Sequence, residues 1–362
     1  MFYISNVLTL HLNNIKMNEK IQKVFNSALT SKNSFGASLR VERGDGEVLF
    51  NSAGGNMDIN TKYFIASTTK LFTTAIIFKL IFEKKLSLED TLSKFLGTKT
   101  ISGLNVFKGK DYSSQITIRQ LLAHTSGIPD YFSGKDSSGK SLESKLLNEF
   151  DEKWDFDKSL ILAKTLKANF YPGQIDKALY SDTNFQILGR IIEIIRKESI
   201  IDVYKKEIIN LLNLSNTYTF TNSDSQNPLA LYYQDKVLKI PLAMSSFGPD
   251  GGVVSTSEEL MIFLKAFFQG KIFPVEYTDI MKSEFNSIFY PLKYGVGIMK
   301  FQMPRIFTMF KIFPPLLGHS GLSGAFAFYC VEKDLYITGT VNQIAARSRS
   351  YQMMIKVLQV AG

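Results

Sequence analysis

From Leu71 to Phe82 the chain reads LFTTAIIFKLIF, twelve residues with one charge, Lys79. A helix of that composition has no polar face to give to water, so it must run through the interior and the rest of the fold must wrap round it. At 362 residues and 45% hydrophobic content the chain can build such an interior as one large domain or two interleaved ones. The first turn of this helix is unusual. Ser67 and Lys70 stand three residues apart, on one helical face with Cβ atoms about 5–6 Å from each other. A lysine desolvated there is expected to have a lowered pKa and to take a proton from a neighbouring hydroxyl. The backbone N–H groups of the helix start favour a developing oxyanion. Together these features predict an activated serine nucleophile. The sequence carries its own control. Ser137-Ser138-Gly139-Lys140 matches the same S-x-x-K spacing inside a polar loop with no apolar helix behind it, and is read as coincidence.

Around this helix the periodicity places strands at both ends and helices between. GASLRVERGDGEVLFNSAGG (36–55) alternates on both sides of Asp45-Gly46 and predicts a hairpin. From 67 to about 220 the spacing is helical, as in NFQILGRIIEIIRK (184–197), where Phe185, Leu188, Ile191, Ile192 and Ile195 share one face. Polar loops interrupt this stretch near 98–115 and 133–142. Strand periodicity returns in 324–343, and RSRSYQMMIKVLQVAG closes the chain as a helix. The single cysteine, Cys330, falls in an apolar strand, so no intrachain disulfide can form and a buried thiol is expected.

Lys plus Arg outnumber Asp plus Glu by 42 to 33, but the lysines are scattered and no zinc-finger or RNA-binding signature accompanies them. The basic balance is read as a solvated surface, with no nucleic-acid partner. Three histidines far apart, with no H-E-x-x-H or C-x-x-C, predict no metal site, and GPDGG (248–252) lacks the strand-to-helix context of a nucleotide loop. The N-terminal stretch has no basic n-region and its apolar run is broken by Ser5, Asn6 and His11. It does not read as a signal peptide, and the cytoplasm is the expected location. Met17 opens a more ordinary helix, so residues 1–16 are expected to be an extension, dispensable or misassigned, and open to disorder.

Three stretches follow the serine helix in order: ITIRQLLAHTSGIPDYF (116–132), FYPGQIDKALYSDTNFQILGRIIE (170–193) and GHSGLSGAFAFYC (318–330). With KLSLEDTLSKFL (85–96) and DGGVVSTSEEL (250–260), they make the chain resemble the family of class C β-lactamases, penicillin-binding D,D-carboxypeptidases and their esterase and D-aminopeptidase relatives. The resemblance runs from about 35 to 345. It implies an α+β fold of the β-lactamase/transpeptidase type, an antiparallel sheet flanked by helices with a helical subdomain. Residues 17–66 and 240–362 would form the sheet region and 67–239 the mainly helical region, with the site at their junction.

The resemblance also implies roles. Ser67 matches the acylated nucleophile and Lys70 its proton partner; which group is the acylating base is disputed in related S-x-x-K enzymes. Tyr180 matches the tyrosine of the Y-x-N element, and would trade a proton with Ser67 and then with the leaving group. His319-Ser320-Gly321 matches the strand element that is Lys-Thr-Gly in β-lactamases. The backbone N–H groups of Ser67 and Leu322 would form the oxyanion hole. His124, in HTSG, would shape the cleft floor. No cofactor is implied.

Two departures bear on substrate choice. The third position of Y-x-N is Asp182, whose carboxylate only accepts hydrogen bonds; it is expected to hold Lys70 as a counter-ion, keep it charged and leave more of the base role to Tyr180, with Asn184 a weaker stand-in. His319 replaces a lysine. With an unperturbed pKa of about 6.5 it would present a pH-dependent charge to the substrate and argue against dedicated β-lactamase activity. The expected protein is therefore a serine hydrolase that acts through an acyl-enzyme on an ester, a D-amino-acid amide or a short peptide. The alternatives are a β-lactamase or a penicillin-binding sensor that acylates without turnover. Its partner would be a small-molecule or short-peptide acyl substrate; oligomeric state is open. The apolar segment 302–317, just before His319, is open to reading as a pocket wall, a lid or core segment, or a membrane contact.

Overall fold

The computed structural model describes residues 2–224, 226–303 and 313–361, with side chains from residue 16 onward. Residues 304–312, most of the open segment 302–317, lie outside the described residues.

The predicted hairpin forms strands β1 (Gly36–Arg43) and β2 (Val48–Gly55), paired in the register Leu39↔Ser52 and Val41↔Phe50. Its turn uses Gly46 at φ 103°, a left-handed conformation that glycine adopts without a Cβ penalty. The second half of the chain supplies β3 (Asn286–Phe289), β4 (Leu292–Tyr294), β5 (Met299–Phe301), β6 (Leu316–Ser320), β7 (Ala325–Cys330) and β8 (Leu335–Thr340). The eight form one antiparallel sheet in the order β3-β4-β5-β6-β7-β8-β1-β2. Cys330 is buried within β7.

Five longer helices organise the rest: α1 (Phe2–Leu29), α2 (Lys70–Phe82), α3 (Asp182–Arg196), α4 (Ser257–Phe268) and α5 (Ser348–Val360). α1 and α5 pack together on one sheet face, where Ile21, Phe25, Met354 and Val357 meet Val41, Phe328 and Ile337. α4 covers the other face, packing on β1, β7 and β8, while α2 also touches β6. α2 is buried nearly all round, as its composition requires. Phe72 stacks on Phe263 of α4 at 3.8 Å between centroids, and Lys79, the helix's one mid-run charge, reaches Glu207 at 3.0 Å. α3 buries Phe185, Leu188, Ile191 and Ile192 on one side, the face its spacing predicts.

The helix expected to open at Met17 is described as part of a longer α1 that spans Phe2–Leu29. The stretch contains neither proline nor glycine, so nothing in it breaks a helix already formed by 17–29. Among the described residues no helix is long and apolar enough to cross a membrane.

Candidate active site

Ser67 sits on the turn that feeds α2. The chain leaves the short strand Tyr63–Phe64, which pairs with Val253–Ser255, and passes through Ala66 at φ 46°, a left-handed conformation that costs an alanine energy. A single 3₁₀ turn, Ala66–Thr69, then runs into α2. The backbone amide of Ser67 lies in that first turn, where no intrahelical acceptor exists. The end of β6 closes on the same turn. A Cβ at Gly321 would come within 2.4 Å of the Ile65 carbonyl oxygen and 3.0 Å of the Ala66 Cβ, so only glycine lets the two backbones approach. Ser323 donates to the Phe64 carbonyl at 2.7 Å and fixes the contact. Leu322 is thereby held beside Ser67, and both line the same cleft.

Lys70, the first residue of α2, is fully buried. Its Nζ lies 2.6 Å from Asp182 Oδ1 and donates to the Asp250 carbonyl oxygen at 2.7 Å. Burial alone pushes this ammonium down, but the charge of Asp182, then that of Asp250 and the Asp182 hydrogen bond outweigh it, and the pKa stands above the ordinary lysine value. The expected lowered pKa is therefore corrected. Asp182 holds Lys70 charged, which is the counter-ion arrangement that its carboxylate suggests.

Two further buried carboxyls surround this pair. Asp130 accepts the Asp182 amide at 2.9 Å, the Ser133 amide at 3.1 Å and the Ser133 hydroxyl. Burial, with the Asp182 charge adding to it, raises Asp130 to about 7. Asp250 accepts the Tyr131 hydroxyl at 2.9 Å and Gln186 Nε2 at 3.1 Å. Burial and then the Asp182 charge push its pKa well above the ordinary carboxylate value, while Lys70 pulls it back. Gly189 brings Asp250 in: a Cβ there would meet Pro249 Cγ at 2.4 Å, so α3 admits the Gly248–Asp250 turn only at that glycine.

Tyr180, two residues before Asp182, lines the cleft together with Ser67, near enough for the Ser67 hydroxyl to act on its phenol, and Lys70 Nζ lies 5.1 Å from its ring centroid. Burial first, then the Asp182 charge, hold the phenol well above its ordinary pKa, so the resting group is protonated. His124 fixes it from three sides. Its carbonyl accepts the Leu179 amide at 2.9 Å, its Nδ1 accepts the Ser181 amide at 3.1 Å, and its ring lies 4.4 Å from that of Tyr180. Burial, Lys70 and His319 keep His124 neutral, so an uncharged ring packs beside Tyr180. Asn184 turns away from Lys70, accepting the Ser126 hydroxyl at 2.7 Å and facing His124.

His319 is where the structure departs most from expectation. Alternation along β6 turns its ring inward while Ser320 faces the cleft. His319 Nε2 meets the Tyr294 hydroxyl at 3.0 Å and Nδ1 the Ser320 carbonyl at 2.8 Å. Burial, reinforced by Lys70, pulls its pKa down to about 3. It is therefore neutral across the physiological range and presents no pH-dependent charge to a substrate. The other residues of that element, Ser320, Gly321 and Leu322, do line the cleft.

The cleft has a volume of about 430 Å³, and Ser67, Tyr180, Asp182, Ser320, Glu143 and Arg347 are among its walls. A narrower apolar cavity of about 50 Å³ shares Ser67, Glu143, Asp182 and Leu322 with it and is closed by Leu146, Leu238, Met244 and other aliphatic groups. Sequence reasoning assigned no role to Asp130, Asp250, Glu143 or Arg347. The first two lie in stretches that carry the family resemblance, TSGIPDYF and DGGVVSTSEEL, but nothing in a single sequence says that their carboxyls converge on Lys70.

A family model described as Beta-lactamase matches residues 21–351 of the chain. Among solved structures, the chain is similar to a D-stereospecific amidohydrolase from a Streptomyces species, at 23% identity, TM-score 0.76 and coverage of 92% of this chain and 97% of the other. It is also similar to EstCE1, a hydrolase with promiscuous acyltransferase activity, at 18% identity, TM-score 0.77 and coverage of 97% and 99%. Among curated proteins it is 29% identical over 218 residues to Protein flp of Staphylococcus aureus, 58% of this chain and 40% of that one. The chain thus spans under half the length of that curated relative.

Proposed function

The chain belongs to the Beta-lactamase family, and on that premise we propose that it is a serine hydrolase forming an acyl-enzyme at Ser67. Its substrates in this reading are esters, D-amino-acid amides or short peptides. The observation that carries it is Ser67 and Tyr180 on the wall of one open cleft, with the Lys70 ammonium 5.1 Å from the Tyr180 ring centroid and held by Asp182 at 2.6 Å.

The charge states decide the proton route. Lys70 is already protonated and Tyr180 is a neutral phenol, so neither is a free base at rest. Ser67 Oγ attacks the carbonyl carbon as its proton passes to the Tyr180 oxygen, while the Tyr180 proton passes to the leaving group. The phenol ends as it began, and Lys70 stabilises the partial negative charge on its oxygen during the transfer. The amides of Ser67 and Leu322 receive the oxyanion. Water then repeats the sequence in reverse on the acyl-enzyme and releases the acid. His319, buried and neutral, supplies no cation at the place where the β-lactamase element has lysine, which supports ester or peptide substrates over dedicated β-lactam hydrolysis.

The absence of a free resting base favours one second reading, a protein that acylates once and turns over slowly or not at all. Labelling with a fluorophosphonate, then steady-state and burst measurements on nitrophenyl esters, D-alanyl peptides and nitrocefin, separates the two. Sustained turnover supports the hydrolase, and a burst of one equivalent without a steady state supports the sensor.

A further inference from the structure

Four charged side chains line the cleft around Ser67: Asp130, Asp182, Glu143 and Arg347. Asp182 is committed to Lys70, and Asp130 to the Asp182 and Ser133 donors. Glu143 and Arg347 are committed to nothing: among the described residues neither side chain has an ion pair or a hydrogen bond. They are near enough for the Arg347 charge to act on the Glu143 carboxyl, yet they do not close on each other. Two unpaired charges of opposite sign thus flank the nucleophile in one open cleft. Glu143, half-buried, also lines the narrow aliphatic cavity that opens beside Ser67. An unpaired carboxylate at the mouth of an apolar cavity suits a group that carries a cation next to an aliphatic side chain.

Building on the acyl-enzyme reading, we propose that the substrate is an unblocked dipeptide, its N-terminal ammonium held by Glu143, its C-terminal carboxylate by Arg347 and its small aliphatic N-terminal side chain by the narrow cavity. A cleft of about 430 Å³ has room for such a molecule. The bonds balance. Ser67 Oγ bonds to the peptide carbonyl carbon, the C–N bond breaks, and the proton lost by Ser67 ends on the nitrogen of the departing amino acid. Water then splits the ester, its hydroxyl going to the acyl carbon and its remaining proton to Ser67. Two free amino acids result. Each charged anchor adds a recognition step that a nitrophenyl ester lacks, so the two chemistries can be separated.

The test uses valyl-alanine in its D,D and L,L forms, with the N-acetyl and the C-terminal amide derivative of each, and 4-nitrophenyl butyrate as a neutral reference. In at least one stereochemical series the unblocked dipeptide should exceed each singly blocked form in kcat/KM by about 10- to 100-fold, as expected for loss of one charged contact. Glu143→Gln should shrink the discrimination against the N-acetyl form, and Arg347→Gln that against the amide, each leaving the other ratio in place. The wild-type ratios decide the matter even if a variant folds poorly. Hydrolysis of the blocked forms as fast as the free dipeptide, or of the ester but of no dipeptide, overturns the proposal while the serine-hydrolase reading stands. Loss of both fluorophosphonate labelling and all hydrolysis overturns the two together.

Discussion

The Nζ of Lys70 and the Oδ1 of Asp182 lie 2.6 Å apart with almost no contact with solvent. The first residue of the serine helix is thereby tied to the first residue of the helix that follows Tyr180. Both ends of the proposed proton route hang on this pair.

Asp182→Asn should therefore act twice. It leaves a buried ammonium without its counter-charge, and should destabilise the fold by about 3–5 kcal/mol, read as a drop in Tm at pH 7. It also removes the largest of the charges that hold the Lys70 pKa up, leaving burial opposed mainly by Asp250. Because the route needs a charged Lys70, the alkaline limb of kcat/KM should move to lower pH. A variant with that limb unmoved would show that Lys70 is not held charged by Asp182.

The catalytic roles predict graded losses. Lys70→Ala and Tyr180→Phe should each lower the acylation rate by roughly 10²–10⁴, measured by stopped-flow on a nitrophenyl ester. Full acylation by the Tyr180→Phe protein would mean that the serine proton leaves by another path.

His319 predicts a stability effect and no binding effect. A histidine whose folded pKa is depressed to about 3 is neutral in the fold but protonates near 6.5 when unfolded. The unfolded state therefore binds more protons between those values, and stability falls as pH drops through that window, by about 1 kcal/mol per pH unit. His319→Gln should lose less Tm than the parent between pH 6.5 and 4.5. Across pH 5.5–7.5 the parent's KM for a carboxylate-bearing substrate, relative to a neutral ester, should show no His319-dependent change. A titration in that ratio that His319→Gln abolishes would contradict the buried, neutral ring.

What the sequence made legible follows from what is local. The fully apolar run 71–82 dictates a central helix, and Asp45-Gly46 between alternating segments dictates a hairpin; both need only neighbouring residues. The S-x-x-K spacing likewise needs only neighbouring residues: Ser67 falls in the 3₁₀ turn Ala66–Thr69 and Lys70 opens α2 directly after it. The signs of the pKa shifts were not legible, because they depend on residues distant in the chain. Lys70 is decided by Asp182, 112 positions on. The inward turn of His319 depends on its pairing with Tyr294 across the sheet. The strands β3 to β5 escaped periodicity because they are only three or four residues long, with a register shift between Ser287 and Phe289.

Gly321 links the fold to the chemistry. Gly321→Ala places a Cβ 2.4 Å from the Ile65 carbonyl and must push β6 away from the Ser67 turn. Displacing the Leu322 amide by even about 1 Å should cost on the order of 10² in kcat, with circular dichroism showing the secondary structure retained. Unchanged kcat in a folded Gly321→Ala protein would remove Leu322 from the oxyanion hole.

The central claim is that Ser67 carries the acyl group, and intact-protein and peptide mass spectrometry after acid quench of a turning-over 4-nitrophenyl ester tests it most directly. One acyl equivalent should appear on the peptide containing Ser67. It should be absent in Ser67→Ala and undiminished in Ser137→Ala, whose S-x-x-K match lies in the polar loop. An adduct on any other residue, or an equal adduct in Ser67→Ala, would contradict the assignment.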